Sequence, residues 1–272
     1  MTNLITKRHP PPSTRYTRRK MFLNDLALMH AATSHNTLAV KTILAMPGLD
    51  VNRRDDDGYT ALMRAATYGH LEAVKILLEH IGIYFVNRGD DHGQNALIAA
   101  ARNNRTDVLD LLLHRDGVDT NLADNTKMTA LHYAAWHGHT HALQMLLNCT
   151  DSHGVHVPVD LNRVNDFGQT ALMLACERPA SSPETITIIQ LLLAEGADRL
   201  DVNTASSVSG TALHAAARAG NVEAVRLLLA HGWRIEVDVE DAEGETALVA
   251  VEGRHGAQFV EIVAMLKEAG AA

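Results

Sequence analysis

Hydrophobic residues recur along the chain in units of two short helical stretches separated by polar residues. In the unit that begins at Thr60, Leu62, Ala65 and Ala66 lie at helical spacing and predict one apolar helix face. Thr60 is suited to cap the start of this helix, and Gly69 to end it in the left-handed conformation. A second apolar stretch follows directly. The pattern therefore predicts two short antiparallel helices and then a turn.

The unit recurs along most of the chain. Related copies begin at Leu26, Thr60, Asn95, Thr129, Thr170, Thr211 and Thr246. Successive starts are 34 to 41 residues apart, a period that indicates a solenoid of stacked repeats. One unit cannot bury its apolar face alone, so neighbouring copies stack and share a continuous core.

The copies resemble the ankyrin repeat, whose usual consensus sequence is T-P-L-H-x-A-A-x-x-G-H and then V-x-x-L-L. The fourth copy shows it as Thr129-Ala-Leu-His-Tyr-Ala-Ala-Trp-His-Gly-His139. The resemblance implies an all-α, ankyrin-type solenoid of helix-turn-helix repeats joined by β-turn or hairpin loops. We expect an N-terminal arm over residues 1–20 and one repeat domain over residues 21–272. The predicted repeats are 21–54, 55–89, 90–123, 124–164, 165–205, 206–240 and 241–272.

Several positions depart from the family wording. Alanine replaces the proline at the first helical position in all six full copies, which keeps helix propensity high. Asn104 replaces a helix-ending glycine, and asparagine tolerates the left-handed region. Lys127 and Ser209 replace turn glycines, which predicts two irregular turns. Insertions at residues 151–159 and 179–183 predict surface loops in the fourth and fifth copies, and Val86 is expected in an extended segment.

Charge separates the arm from the repeats. Residues 1–20 hold six basic residues and no acid, so the formal charge of the remainder is −8 − 6 = −14. We interpret the arm as disordered and solvated, with a basic docking segment or an organelle transit peptide as alternatives. The acidic body argues against nucleic acid as the main partner, and no apolar run reaches membrane-spanning length. We expect a monomer in the cytoplasm or nucleus, with organelle targeting left open by the arm.

The sequence contains no recognisable catalytic motif. It has no nucleophile elbow, no phosphate-binding loop and no paired metal-ligand motif. We therefore expect no enzyme activity, cofactor or metal. Local histidine density is the exception, and clustered imidazoles can bind Zn²⁺. The members are His137, His139, His141, His153 and His156, with Cys149 and Asp151 between them. Gly138 is expected to break the helix between His137 and His141, so most of these histidines are interpreted as incidental surface residues.

The resemblance also indicates a binding surface. In ankyrin-like stacks, the turn tips and the exposed ends of the first helices form a concave groove that usually binds partners. The candidate partner-binding residues at those positions are Tyr59, Tyr68, Asp91, His92, Arg102, Met128, Trp136, His137, Phe167 and Arg178. Aromatic residues and arginine are common interface hot spots. Trp136 could equally fold over its neighbour and stabilise the stack.

The leading hypothesis is a non-enzymatic adaptor, inhibitor or scaffold that binds a protein or peptide through the groove of repeats 2–5. The acidic tips at Asp56, Asp57 and Asp91 favour a partner of basic character. The alternative is a small-molecule or metal site, possibly catalytic, that uses His92, Arg102, Trp136 and His137. A third hypothesis comes from the resemblance: the chain would be a substrate for asparagine hydroxylation, at Asn52, Asn87, Asn121, Asn162 or Asn203.

Overall fold

Helices dominate the structure, a computed structural model that describes residues 14–80, 83–150, 153–179, 182–196, 199–231 and 235–271. In chain order the helices are α1 (Thr14–Thr33), α2 (Thr37–Leu44), α3 (Ala61–Tyr68), α4 (Leu71–His80), α5 (Ile83–Val86), α6 (Ala96–Arg102), α7 (Thr106–Leu113), α8 (Ala130–His137), α9 (Thr140–Leu147), α10 (Ala171–Cys176), α11 (Pro183–Gly196), α12 (Ala212–Arg218), α13 (Val222–Ala230) and α14 (Ala257–Glu268). A 3₁₀ helix, Val249–Val251, precedes α14. Within these ranges there are isolated bridges and no β-strand, which confirms the all-α prediction.

The helices pack in two layers. The first helices of successive repeats (α1, α3, α6, α8, α10 and α12) each pack against the next, and the 3₁₀ helix continues the row. The second helices form the other layer as α2, α4, α7, α9, α11, α13 and α14. Each first helix also packs against the second helix of its own repeat. The result is the stacked solenoid that the repeat period predicts.

Side-chain size explains the two layers. Ala65, Ala100 and Ala135 are fully buried in the first helices, where their small volume lets neighbouring backbones approach closely. Leu109 and Leu143, on second helices, are also fully buried and fill the space between the layers. Because successive repeats have the same arrangement, the hydrophobic core runs along the whole stack and does not form one central globule.

Helix ends follow the sequence signals closely. The Thr60 hydroxyl accepts a hydrogen bond from the backbone N–H of Met63 at 3.3 Å and caps α3. Gly69 and Gly138 end α3 and α8 with φ of 77° and 79°, the left-handed conformation that glycine adopts without strain. Asn104 takes the same conformation with φ of 52° where glycine is replaced. These observations confirm the predicted caps.

Three segments differ from the sequence interpretation. α1 begins at Thr14, so residues 14–20 of the predicted arm lie in a helix, and residues 1–13 lie outside the described residues. The segment after α4 forms the short helix α5, which ends at Val86, so Val86 is not in an extended segment. The first helix of the seventh copy is only a 3₁₀ turn, since its valines disfavour helix and Gly253 follows with φ of 82°.

The predicted irregular turn at Lys127 was wrong. Lys127 itself adopts the left-handed conformation, with φ of 61°, and donates its backbone N–H to the Asp124 carbonyl at 2.9 Å. The turn therefore keeps the geometry that Gly93 gives to the preceding repeat. The turn at Ser209 does change, because the left-handed residue moves to Gly210, with φ of 70°.

The two insertions leave the stack where the sequence predicted. In the first, Thr150 pairs with His156 in an isolated bridge, and residues 151–152 lie outside the described residues. In the second, Pro183 is the first residue of α11, a position where proline costs no helical hydrogen bond. Residues 180–181 lie outside the described residues. The described part of the first insertion follows α9 at the exit of the fourth repeat, and the second lies between α10 and α11 within the fifth repeat.

Candidate functional site: the groove of repeats 2 to 5

Exposed aromatic side chains mark the groove, which we define as the surface formed by the turn tips and the ends of α3, α6, α8 and α10. Trp136 is 51% exposed, Tyr68 46% and Phe167 55%. Tyr68 and Trp136 lie at the ends of α3 and α8, while Phe167 lies in the turn before α10. These three residues are accessible at the positions that the resemblance indicated.

The Trp136 ring belongs to a cluster of stacked rings. Its centroid lies 5.3 Å from that of His137, and Tyr133 lies 6.2 Å from His137 with an interplanar angle of 8°. His139 stacks on the other side of His137 at 5.6 Å. Tyr133 is buried, whereas Trp136 and His137 are exposed. The cluster therefore has a fixed base and an open aromatic surface.

A buried polar network holds the base of this cluster. The Tyr133 hydroxyl donates to Asp124 Oδ2 at 2.7 Å and accepts from Gln94 Nε2 at 2.8 Å. Burial acts to raise the pKa of Asp124, but hydrogen bonds from Tyr133, Thr126 and Met128 lower it overall. Burial and Asp124 raise the pKa of Tyr133, so its hydroxyl remains a donor. The network links repeats 3 and 4 under the groove.

Arg102 lies on the open side of the same network. Its side chain is exposed, donates from Nη1 to Gln94 Oε1 at 3.1 Å, and lies over the Tyr133 ring with 5.3 Å to the centroid. Such cation–π contacts are attractive because the ring face carries negative partial charge. Arg102 is thus positioned by its own repeat and by the next one.

Arg178 has a structural contact that the sequence interpretation did not include. Its Nη1 donates to the Trp136 carbonyl at 2.5 Å, across the interface between repeats 4 and 5. The same type of contact recurs along the stack, where a side chain near the start of a second helix bonds a carbonyl at the end of the preceding repeat's first helix. The other pairs are His70–Thr33, Arg105–Thr67, His139–Arg102 and Arg254–Arg218. Arg178 therefore fixes the backbone under Trp136.

Replacing Gly138 by alanine tests this junction. A Cβ atom at Gly138 would lie 2.6 Å from Arg178 Cζ, and φ of 79° is strained for alanine. We expect Gly138→Ala to lower the free energy of unfolding by about 2–3 kcal/mol, since the left-handed strain alone costs about 1–2 kcal/mol. Urea denaturation followed by circular dichroism measures the change. Gly154→Ala is the matched control, because Gly154 has φ of 75° and nothing within 4 Å of the added Cβ. Equal losses in both variants would show that Arg178 does not constrain Gly138.

Met128 was wrongly predicted to be a groove residue. It is only 5% exposed, and Asn165 of the next repeat approaches its Sδ at 3.4 Å. The following turn therefore covers the side chain, a contact that one repeat considered alone does not reveal. Tyr59 is half-buried under the Arg64 guanidinium, which lies 4.1 Å from the ring centroid. Burial, and then the charge of Asp90, raises the pKa of Tyr59.

The acidic turn tips are largely neutralised within the protein. Asp91 is exposed and forms an ion pair with Arg54, which lies 37 residues earlier in the chain. Asp57 pairs with Arg64 at 3.0 Å. The neighbouring tip residue His92 is exposed and contributes its carbonyl to the next turn's backbone. The expectation that these carboxylates select a basic partner loses its support, because two of the three already have internal cations.

The dense histidines do not converge. Gly138 separates His137 on α8 from His141 on α9, as predicted, and His141 lines a cleft on the outer face with Lys75 and Met145. His156 bonds the Leu147 carbonyl at 3.1 Å. Across the part of the chain that the structure describes, there is no group of three or more His, Cys, Asp or Glu side chains that could hold a metal ion. The geometry therefore gives the metal alternative no support.

Four of the five asparagines of the third hypothesis bridge successive repeats. Asn121 Oδ1 accepts from the Asp160 N–H at 2.8 Å, and its Nδ2 donates to the Pro158 carbonyl. Asn87 and Asn162 make the same pair of contacts with their next repeats. These hydrogen bonds give the asparagine side chains a structural role as links between repeats. Hydroxylation of these asparagines remains a prediction.

Among the described residues, no helix combines the length and the apolar character that crossing a bilayer requires. A search of curated proteins gives no match. A family model described as Ankyrin repeats (3 copies) matches residues 28–124, 116–198 and 180–271, which together cover most of the chain.

Two solved structures resemble the whole repeat region. The ankyrin repeat domain of Bcl-3, described as a unique member of the IkappaB protein family, is 23% identical with a TM-score of 0.69, over 89% of this chain and 97% of that one. The human ASB11 ankyrin repeat domain is 25% identical with a TM-score of 0.66, over 90% of this chain and 98% of that one. Both similarities extend over nearly the full length of the solved domains.

Proposed function

Since the chain belongs to the ankyrin repeat family, whose domains generally mediate protein–protein interactions, we propose that it is a non-enzymatic interaction module. Its partner, a folded protein or a peptide, covers the groove of repeats 2–5. The observation that carries the proposal is the set of exposed aromatic side chains at Tyr68, Trp136 and Phe167 along the stacked repeats. Large exposed aromatics on a fixed backbone lose little entropy on binding and are typical interface anchors.

The surroundings of Trp136 support an anchoring role. Its backbone carbonyl is held by Arg178, and its ring rests beside His137 and the buried Tyr133. The ring does contact its own stack, as the alternative interpretation supposed, yet half of its surface is still exposed. A pre-positioned anchor of this kind binds without first being ordered. We further propose that the chain acts as a monomer in the cytoplasm or nucleus.

The test is affinity purification from the native cell, with the unaltered chain and the double variant Trp136→Ala, Tyr68→Ala in parallel. Truncating a hot-spot side chain costs about 2 kcal/mol, so the affinity for a captured partner is expected to fall at least about thirtyfold. Phe85→Ala is the matched control, because Phe85 is an aromatic of similar exposure (41%) on the short helix α5, outside the groove. Unchanged capture by the double variant would refute the groove assignment, provided that circular dichroism shows both variants folded.

A further inference from the structure

The groove around Trp136 contains two arginines whose side chains donate hydrogen bonds to uncharged acceptors. Arg102 donates to an amide oxygen and Arg178 to a backbone carbonyl and to hydroxyl groups. With respect to the described residues, neither guanidinium forms an ion pair. Neither guanidinium is therefore in direct contact with a carboxylate, and Arg178 lies against the backbone of the exposed Trp136. We call Arg102, Tyr133, Trp136, His137 and Arg178 the Trp136 shelf.

The flanking repeats differ from the shelf. In repeat 2, Arg64 pairs with both Asp55 and Asp57, at 2.7 and 3.0 Å. In repeat 6, Arg218 pairs with Asp241. These arginines are compensated where they stand, so the uncompensated charge is concentrated in the middle of the groove. This concentration occurs although the chain as a whole carries a formal charge of −8.

The acidic groups nearest the shelf in sequence are already engaged. Asp124 is buried and accepts hydrogen bonds from Tyr133 and Thr126. Glu177 accepts from Gln169 Nε2 at 2.6 Å and from the Ser209 hydroxyl, on the side of the next turn. Neither carboxylate is directed to Arg102 or Arg178. Neither Arg102 nor Arg178 therefore makes a direct ion pair that an approaching carboxylate would have to displace, although Glu184, which accepts from the Ser182 hydroxyl, lies within electrostatic range of Arg178.

The two arginines of the shelf also act on His137 and on its neighbour His139. Burial first, and then the positive charges of His139, Arg102 and Arg178, lower the pKa of His137. Burial and the charge of Arg178 also lower the pKa of His139, against a hydrogen bond to the Arg102 carbonyl. A positive charge in the neighbourhood disfavours protonation of an imidazole, so the direction of these shifts agrees with a positive potential at the shelf.

We propose that the partner segment covering the Trp136 shelf is acidic: it places one or more carboxylates on Arg102 and Arg178 and an aromatic or aliphatic side chain on Trp136. The proposal rests on the proposed function and names the partner chemistry at that site. Guanidinium and carboxylate groups form strong charge-assisted hydrogen bonds, and their attraction increases when the neighbouring indole excludes water. An acidic partner replaces the basic partner that the turn-tip sequence favoured, because most of those tip carboxylates already form ion pairs with arginines.

Two designed peptides test the charge assignment. They have equal length and the same leucine and phenylalanine residues, with glutamate at every charged position in one and lysine in the other. The chain has two tryptophans, so Trp233→Phe leaves Trp136 as the only indole reporter, and calorimetry on the unaltered chain repeats the ranking. We expect the glutamate peptide to bind at least about tenfold more tightly and to weaken as salt is raised.

Matched variants localise the effect. Arg102→Gln is expected to weaken the glutamate peptide about tenfold, whereas Arg102→Lys retains most of its affinity because it preserves the charge. Lys75→Gln, an exposed residue of α4 on the outer face, leaves the affinity unchanged. Equal binding of both peptides, no binding of either, or tighter binding of a single-stranded oligonucleotide than of the glutamate peptide would overturn the proposal. If a protein partner is still captured through Trp136 and Tyr68 in that case, the charge assignment alone fails. If capture is also insensitive to those residues, the proposed function fails with it.

Discussion

Lowering the pH from about 7 to about 4 is expected to reduce the free energy of unfolding by about 3 kcal/mol through His132 alone. Burial lowers the pKa of His132 from 6.5 to about 4 in the folded chain. The unfolded chain therefore takes up a proton below about pH 6.5 that the folded chain does not, so stability is full above that pH and is lost as the pH falls. Each pH unit that separates the folded pKa from the unfolded pKa corresponds to about 1.4 kcal/mol.

Burial keeps His132 neutral against its hydrogen bond to the Arg163 carbonyl, which favours protonation, and the hydrogen bonds determine its tautomer. Its Nε2 lies 2.9 Å from the Arg163 carbonyl, at the end of the same repeat, so the Nε2–H tautomer is required. Its Nδ1 then accepts from the Thr129 backbone N–H at 3.2 Å. His214 has the same arrangement with Thr211 and Glu245, and burial lowers its pKa as well. Burial raises the pKa of Asp25, which opposes the trend.

His132→Met separates the linkage from other acid effects, because methionine already occupies this position in two other repeats. There, Met63 and Met173 accept from the capping-threonine N–H at 3.4 Å. The variant is expected to lose about 1 kcal/mol at neutral pH with the hydrogen bond to the Arg163 carbonyl. Its stability should then change about 3 kcal/mol less than that of the unaltered chain over the same pH range. Parallel urea denaturations at several pH values give both numbers, and parallel pH profiles for the two proteins would contradict the assignment.

Much of the fold could be predicted because its determinants are local. A threonine before an apolar helix face and a glycine after it fix each first helix, as at Thr60 and Gly69. The repeat period then dictates stacking, since no single unit can bury its own face. The same local reasoning failed for the seventh copy, where the valines disfavour a helix and only a short 3₁₀ turn forms.

The groove was less predictable because its chemistry depends on contacts between repeats. Arg54 lies 37 residues from Asp91, and Arg178 lies 42 residues from Trp136. A single copy gives no indication of either pair. The sequence therefore did not show that Asp91 has an ion-pair partner, or that Arg178 binds the Trp136 carbonyl. One signal was present: Asp55–Arg64 and Asp124–Tyr133 share a spacing of nine residues and both join a turn to its first helix. That spacing could have identified Tyr133.

Leu143→Ala is expected to lower the free energy of unfolding by about 2–5 kcal/mol, the usual cost of removing a fully buried leucine. Leu143 is fully buried on α9, between the first-helix layer and its neighbours α7 and α11. In a stack, each repeat is stabilised mainly by its two neighbours, so a weak central repeat loosens the coupling between the halves. We expect denaturation to broaden or divide into two transitions, measured by circular dichroism and by hydrogen exchange of individual repeats.

Leu266→Ala gives the matched comparison, since Leu266 is equally buried but lies on α14, the last helix of the stack. Among the described helices of the second layer, α14 packs against α13, so the same chemical change there weakens one interface instead of two. Its hydrogen-exchange protection should fall in the last repeat and persist in the central repeats, because terminal units open without the rest of the stack. If both variants instead lost stability in a single cooperative transition of equal size, the repeats would be acting as one unit, and the position of a leucine along the stack would not matter.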